Sequence, residues 1–221
     1  MKQGGRTVEA NETARRIESI LRGNLRKIPR DENERILDNL WKFVGNAIEN
    51  DWSQKQLSVE AAKLIVHALP FTEVSLALRI PNTKTFKYEA LIGFKQTVVQ
   101  EMSSKIYTEL EATGHDREPC IRIDSFLDFE LAEGETLIDH EYEHLQYNRP
   151  TRLLDGRKAI DEMKDGDYLA LFFRGIRGEL IGYVELEAPR NRKLPEGNVL
   201  KWLEIFGMIF GILLQSSRAY E

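Results

Sequence analysis

Two apolar runs, Asp167-Tyr168-Leu169-Ala170-Leu171-Phe172-Phe173 and Leu180-Ile181-Gly182-Tyr183-Val184-Glu185-Leu186, are separated by Gly175-Ile176-Arg177-Gly178. Each run has the length and the apolar, aromatic content of a strand, and a four-residue connection containing glycine joins antiparallel neighbours. We therefore predict a β-hairpin. Gly182 lies within the second strand, where a glycine allows another backbone or a helix to approach closely.

The elements around this hairpin predict an α+β fold. After Pro189 and Pro195, the segment 196–219 is apolar nearly all round, which is typical of a helix covered on both sides. Upstream, the spacing of apolar residues predicts helices and strands that lead toward an antiparallel sheet. The predicted helices are 9–22, 31–49, 53–68 and 97–112, and the predicted strands are 74–80, 86–94, 120–123 and 126–131.

This order of elements, ending in the hairpin and the apolar helix, resembles the GAF family. The most specific part is Asp167–Phe173, Gly178–Leu186, the proline loop and the last helix; the region from Leu57 to Phe94 matches more loosely. The resemblance implies a central antiparallel sheet of about six strands. It also implies that the N- and C-terminal helices pack on one face. We expect residues 1–50 to be a helical extension and residues 51–221 to be the GAF-like domain.

The bulk composition favours a soluble protein. The chain has 221 residues, of which 42% are hydrophobic and 30% charged, and one cysteine, Cys120. A lone cysteine excludes an internal disulfide. No signal peptide is recognisable, and the apolar run 206–214 is too short to span a membrane. We expect a cytoplasmic protein with no membrane partner.

The first thirty residues hold eight Lys and Arg against three Glu, so the rest of the chain carries the acidic excess. Such a basic segment is found in proteins that bind nucleic acid, acidic partners or anionic lipid, and also on solvated helices. It lacks the interleaved aromatic residues of a nucleic-acid platform, so we do not expect nucleic acid as a partner.

The resemblance also implies a pocket for a small molecule on the looped side of the sheet, such as a cyclic nucleotide, a tetrapyrrole or a metabolite. The poorly patterned stretch 115–163 is expected to lie over it. Aromatic and arginine side chains suit an anion-bearing ligand. The candidate ligand-binding residues are Phe129, Tyr142, Tyr147, Arg149, Arg152 and Phe172. The ligand itself stays unidentified, because the cysteine patterns of the bilin-binding and sulfoxide-reducing members and the Asn-Lys-Phe-Asp-Glu signature are absent.

One motif favours an enzyme. His140-Glu141-Tyr142-Glu143-His144 fits the pattern His-Glu-x-x-His, in which two histidines one helical turn apart bind zinc and the glutamate acts as a general base. Glu162 lies at a plausible spacing for the third ligand. The motif is strongly charged and Arg149-Pro150 ends any helix soon after it, whereas a zinc helix in a cleft is usually apolar.

Three functions follow from these observations. The first is a small-molecule sensor without catalytic activity, which signals through a partner protein or a homodimer formed by the helices 31–49 and 196–219. The second is a zinc-dependent hydrolase that uses His140, His144 and Glu162. The third is a protein-interaction module that binds no ligand.

Overall fold

The structure, a computed structural model, describes residues 31–113, 120–130, 147–153 and 155–218. Contacts divide the chain into two units, Met1–Asp38 and Asn39–Glu221. The described part of the first unit is the start of a helix that Asp31 caps, since Glu34 N donates to Asp31 Oδ1 at 2.8 Å. The expected boundary between residues 1–50 and 51–221 stays a prediction.

Helices and strands alternate in the order expected for an α+β domain. The helices are α1 (Glu32–Glu49), α2 (Gln54–Ala68), α3 (Gln96–Ser104), α4 (Glu109–Ala112) and α5 (Gly197–Arg218), with a 3₁₀ turn at Pro150–Arg152. The strands are β1 (Phe71–Arg79), β2 (Thr85–Ile92), β3 (Tyr107–Thr108), β4 (Cys120–Arg122), β5 (Leu127–Glu130), β6 (Tyr168–Arg174) and β7 (Leu180–Pro189). They form one antiparallel sheet in the order β3-β2-β1-β7-β6-β5-β4. The α+β prediction is confirmed.

One face of the sheet is covered by the terminal helices. α2 packs on β1 and β2, and α5 packs on β6. Phe173 of β6 meets the rings of Phe206 and Phe210 of α5, with ring centroids 6.4 and 4.8 Å apart. Phe43 of α1 packs against the same two rings of α5, with its ring 6.1 Å from that of Phe206 and 6.5 Å from that of Phe210. The expectation that α5 is covered on both sides is met only in part, because Met208 and Ile212 are 50% and 64% exposed.

Among the described residues, α5 is also the one helix long and apolar enough to cross a membrane. A core helix of a globular domain meets the same criteria of length and composition. Its largest inward side chains are fully or nearly fully buried: Leu203, Phe206, Phe210 and Leu214. This burial accounts for the apolar character of the inward face of α5.

The helix predicted for residues 97–112 is interrupted, which corrects that prediction. α3 ends at Ser104, and Tyr107 and Thr108 then pair with β2 as the short strand β3. Thr108 starts α4 with a capping box, because its side chain accepts Glu111 N while the Glu111 carboxylate accepts Thr108 N. The apolar spacing continues across the break, whereas the strand pairing that causes it comes from a distant segment.

Gly182 confirms the close approach expected of a strand glycine. A Cβ at this position would lie 2.7 Å from the carbonyl oxygen of Ala77 and 2.8 Å from Cδ2 of Leu78. Both contacts are with β1, the strand paired with β7. A side chain at position 182 would therefore force the two central strands apart.

Candidate functional site

The face of the sheet opposite the terminal helices is unusually polar at its centre. Residues that pair directly across antiparallel strands lie on the same face. The register brings Tyr88, Ala77, Tyr183 and Phe172 into one row across four strands. Ser75, Glu185, Ala170 and Asp128 form the next row, and Glu73 faces Glu187 beyond it. Aromatic residues therefore give way to carboxylates along this face.

A β-bulge in β2 directs Tyr88 toward this polar face. Ala90 pairs with Leu76, but Tyr88 pairs with Ala77, so Glu89 is the extra residue. An extra residue shifts the alternation of side chains along the bulged strand. As a result, Tyr88 lies on the same face as Tyr183 rather than beneath α2.

The tyrosines and glutamates line a small cavity of about 40 Å³ that is partly open to solvent. We call it the carboxylate cavity. Its lining consists of five tyrosines, one methionine and three glutamates: Tyr88, Met102, Tyr107, Glu111, Tyr147, Tyr168, Tyr183, Glu185 and Glu187. Among the described residues, no lysine or arginine lines it. Met102 comes from α3, and Tyr107 and Glu111 come from β3 and α4.

Glu185 is fixed within this cavity by two hydroxyl groups. Ser75 Oγ and Tyr88 Oη each donate to Glu185 Oε2 at 2.6 Å. Burial, together with the charge of Glu185, raises the pKa of Tyr88 well above its ordinary value. The Tyr88 hydroxyl therefore keeps its proton and donates it to the carboxylate. Hydrogen bonds to a charged acceptor are stronger than neutral ones, so this network orders the cavity wall.

Glu187, two residues along the same strand, is placed differently. No hydrogen-bond donor among the described residues reaches its carboxylate, which lines the cavity. Burial is the main cause that raises its pKa well above the ordinary value, and the Glu185, Glu73 and Asp165 carboxylates act in the same direction. Arg149 acts in the opposite direction without outweighing them. By surface area Glu187 is only partly buried, and its oxygens are not among the described buried side-chain atoms that lack a hydrogen-bond partner.

Asn148 anchors one rim of the cavity. Its Oδ1 accepts Lys95 N at 2.7 Å, and its Nδ2 donates to Gly93 O at 2.9 Å. Lys95 Nζ donates in turn to the backbone oxygen of Asn148 at 2.6 Å. Because Tyr147 directly precedes Asn148 and Lys95 directly precedes α3, this clamp ties Tyr147 to the helix that carries Met102.

The residues predicted from the sequence to bind a ligand lie in several places. Tyr147 lines the carboxylate cavity, and Phe172 belongs to the buried cluster on the same face. Phe129 pairs with Leu169 and so lies on the opposite face, with the terminal helices. Arg149 and Arg152 line a second cavity. Tyr142 falls outside the described residues.

The second cavity, of about 180 Å³, is lined by four arginines: Arg149, Arg152, Arg190 and Arg192. Each has an acceptor from the protein. Arg149 pairs with Glu73 at 2.5 Å and with Asp165, and Arg192 pairs with Glu162 at 3.0 Å. Arg190 donates to the backbone oxygens of Leu69 and Val66, and Arg152 lies 3.8 Å from Asp165. The four arginines therefore link the ends of strands and α2. Their charges are already engaged by acceptors of the protein, which disfavours an anion site here.

The predicted zinc ligands are not brought together within the described residues. His140, Glu141 and His144 lie outside the part of the chain that the structure describes. Glu162 is described, and its carboxylate accepts Lys158 N at 2.6 Å and Arg192 Nη2 at 3.0 Å. No cluster of three or more metal-ligating side chains occurs in the described ranges.

Tyr88, Tyr183, Glu185 and Glu187 are not among the ligand-binding residues predicted from the sequence. A signal for part of this set was present, because Tyr183, Glu185 and Glu187 alternate with apolar residues along β7. Alternation of this kind means that one face of a strand is polar. Tyr88 had no such signal, because the bulge that turns it toward the cavity depends on pairing with β1.

Comparison with known proteins identifies the fold. No protein-family model matches the chain, and no curated protein matches its sequence. Solved GAF domains match its structure. That of a phosphoenolpyruvate-protein phosphotransferase from Coxiella burnetii has a TM-score of 0.54 at 13% identity, over 86% of this chain and 98% of that chain. The chain has the GAF fold.

Two further GAF domains resemble this chain in structure at a similarly low sequence identity. The domain from an Acinetobacter phosphoenolpyruvate-protein phosphotransferase has a TM-score of 0.53 at 12% identity, over 84% of this chain and 95% of that chain. The domain from a protein described as a candidate sensor histidine kinase of Pseudomonas syringae pv. tomato has a TM-score of 0.50 at 12% identity, over 84% and 89%. The predicted GAF resemblance is confirmed at the level of fold, with seven strands in the described part of the chain where about six were expected.

Proposed function

We propose that this GAF domain is a cytoplasmic regulatory sensor without catalytic activity, which binds a small molecule in the carboxylate cavity. The observation that carries the proposal is the cavity itself, enclosed by polar groups on the sheet face opposite the terminal helices. Concave sites of this kind, with a few convergent polar groups, are the usual binding sites for small molecules. GAF domains of a candidate sensor kinase and of phosphotransferases share the fold, which favours a role in signalling.

The route for a signal runs through the central strands to the terminal helices. Tyr183 and Glu185 of β7 line the cavity, and Val184 between them lies on the face covered by the helices. A shift of β7 caused by ligand therefore reaches the packing of the helices directly. We infer that the output is a change in a homodimer or in a partner protein held by α1 and α5.

The homodimer is supported by apolar residues that the helices leave exposed. Trp41 and Ile48 of α1 are 63% and 68% exposed, and Met208 and Ile212 of α5 are 50% and 64% exposed. Their spacing on each helix gives one apolar stripe directed away from the sheet. A second copy of the chain offers the same stripes, as a twofold interface requires.

Ligand retention tests the sensor proposal. The purified chain is analysed by native mass spectrometry before and after unfolding and refolding, and the refolded chain is then incubated with the small-molecule fraction of its host cells. We expect a non-protein mass that is lost on refolding, is recovered with that fraction, and raises the melting temperature.

A matched pair of variants locates the ligand. Met102 lines the cavity, whereas Met208 is half exposed on α5. Met102→Trp fills the cavity and should abolish retention, and Met208→Trp should leave it unchanged. A chain that takes up no molecule under any of these conditions would instead favour a protein-interaction module.

A further inference from the structure

A short segment of the loop before β6, residues 158–163, pairs with the connection between β7 and α5, and we call it the strap. We propose that the strap is a releasable regulatory device, which holds the connection 190–196 in a strained backbone conformation and frees the start of α5 when it opens. This inference rests on the proposed sensing function, in which α5 carries the output, and adds a way in which that output is controlled.

The strap pairs with the connection through its backbone. One residue pair, Glu162 with Lys193, forms an antiparallel bridge outside the main sheet. Two backbone hydrogen bonds of 2.9 and 3.0 Å flank this bridge: Leu194 N to Asp161 O and Met163 N to Arg192 O. Because so few bonds join the two segments, the strap can open locally while the strands of the sheet stay paired.

Two ion pairs reinforce the bridge, and both are accessible to solvent. Lys193 Nζ lies 2.9 Å from Asp161 Oδ2, and these side chains are 63% and 52% exposed. Arg192 Nη2 lies 3.0 Å from Glu162 Oε1, and the Arg192 side chain is 50% exposed. Exposed pairs contribute little to stability, because water and salt screen them. The side-chain contacts of the strap are therefore individually weak.

The backbone that the strap holds in place is strained. Ala188, near the end of β7, and Arg192, in the connection, have φ angles of 48° and 58°. Alanine and arginine rarely adopt this left-handed region, and a residue held there costs free energy. Arg192 is also the residue that pairs with Glu162 and Met163, so opening of the strap lets its backbone relax. The strain and the weak pairs are of similar size, and a small change shifts the balance between them.

The strap is connected to the rim of the carboxylate cavity. Arg149 directly follows Asn148 of the rim, and its guanidinium group pairs with Asp165, two residues beyond the strap. Met163, the last residue of the strap, is 2% exposed and lines the second cavity together with Arg149 and Arg192. A shift of the rim therefore acts on the strap through Asp165, and the strap transmits it to the start of α5. This route is separate from the one through β7.

Hydrogen exchange of the full chain, measured by mass spectrometry of its peptides, tests whether the strap opens locally. Asp161→Asn removes the pair with Lys193. Glu60→Gln is the matched control, because it removes an exposed pair of 2.8 Å with Lys63 on α2. We expect residues 190–200 to exchange at least about threefold faster in Asp161→Asn, with β6 and β7 unchanged. Glu60→Gln should match the wild type in both regions.

A second pair of variants tests the strain. Arg192→Met and Arg192→Asn both lose the pair with Glu162, but asparagine tolerates the left-handed backbone better than methionine does. We therefore expect residues 190–200 to exchange faster in Arg192→Met than in Arg192→Asn. Equal rates in the two variants would overturn strain in the connection as the force that opens the strap.

Arg149→Lys tests the connection with the rim. Lysine keeps the charge, so the chain should still fold, and circular dichroism verifies this. It lacks the planar group with which Arg149 holds Glu73 and Asp165 at once. Residues 158–163 should then exchange at least about threefold faster than in the wild type. Unchanged exchange of the strap would overturn its control from the cavity rim.

The outcomes separate this inference from the function on which it depends. Exchange at residues 190–200 that is unchanged in Asp161→Asn, or that rises equally throughout the sheet, would overturn a strap that opens locally. In both cases, a small molecule retained in the native mass spectrum would leave the sensing function standing. Absence of any retained molecule would overturn the sensing function, and with it the regulatory role of the strap, whatever the exchange rates.

Discussion

The hydroxyl of Tyr88 on β2 lies 2.6 Å from Oε2 of Glu185 on β7, and Ser75 on the strand between them donates to the same oxygen. One carboxylate thus joins three neighbouring strands through side chains as well as through the backbone ladder. This arrangement orders the cavity wall, and its contribution to stability can be measured.

Tyr88→Phe should lower the free energy of unfolding by about 1.5–3 kcal/mol, the usual range for a hydrogen bond to a charged group. Urea unfolding at pH 8 measures it. Ser75→Ala removes the other donor, and the double variant should lose more than the sum of the two single losses, because Glu185 is then left without either hydroxyl. A neutral effect of Tyr88→Phe would contradict the contribution of this hydrogen bond to stability.

Glu204→Gln should stabilise the protein above the ordinary pKa of glutamic acid. A hydrogen bond with Asp124, followed by burial and the charge of Asp124, raises the pKa of Glu204. The folded chain therefore holds this proton more tightly than the unfolded chain, and stability falls as the pH rises through the interval between the two pKa values. Glutamine avoids this loss and can still donate to Asp124.

The gain from Glu204→Gln should be small, below about 1 kcal/mol, because the pair is exposed to solvent. Thermal unfolding at pH 7.5 and pH 3.5 measures it. The two proteins should differ at the higher pH and converge at the lower one. A difference that grows on acidification would contradict the direction of the shift.

Gly182→Ala should destabilise the domain by about 1–3 kcal/mol or more, the usual cost of overpacking. The new methyl group would overlap the backbone oxygen of Ala77, which the strand pairing holds in place. Gly45→Ala is the matched control, because a Cβ there meets no atom within 4 Å. Within α1 that change should stabilise by about 0.5–1 kcal/mol. Chemical unfolding of both variants measures the two changes in the free energy of unfolding, which should have opposite signs.

Arg157→Met should cost about 3–5 kcal/mol, because it leaves a buried carboxylate without its cation. Asp167 is fully buried, and Arg157 holds both of its oxygens, at 2.9 and 3.1 Å. Arg192→Met is the control. It breaks a pair of similar length with Glu162, but the Arg192 side chain is 50% exposed, so the loss should stay below about 1 kcal/mol. Equal losses in both variants would contradict the role of burial.

The wild-type chain should be a dimer in light scattering at micromolar concentration, and Ile212→Glu and Trp41→Glu should each convert it to a monomer. A charge within an apolar interface loses its hydration without gaining a partner. Ile176→Glu, at the tip of the β6–β7 hairpin, changes a residue that is 91% exposed and should leave the dimer intact. A wild-type monomer would leave only a partner protein to receive the signal.

The parts of the fold that depend on local pattern were predictable. The β6–β7 hairpin and α5 follow from apolar runs, turn glycines and helix length, and the structure has them close to the expected bounds. The break between α3 and β3 was not predictable, because it depends on pairing of Tyr107 with Phe86 on another strand.

The candidate site was harder to predict from the sequence, because it too depends on pairing between distant strands. Its carboxylates alternate along β7, but their neighbours come from other strands, and Tyr88 enters the site through a bulge. Arginines near residue 150 suggested an anionic ligand, whereas Arg149 pairs with Glu73, which lies far from it in sequence, and with Asp165. The net charge of a site depends on ion pairs that form only on folding, and the sequence does not show which residues pair.

The Asn148 clamp has a mechanical consequence for entry to the cavity. Through Lys95 and Gly93 three hydrogen bonds connect the segment of Tyr147 to the start of α3. β3, which carries Tyr107, is joined to β2 by two residue pairs. We therefore expect any widening of the entrance to occur at this edge strand rather than at the clamped rim.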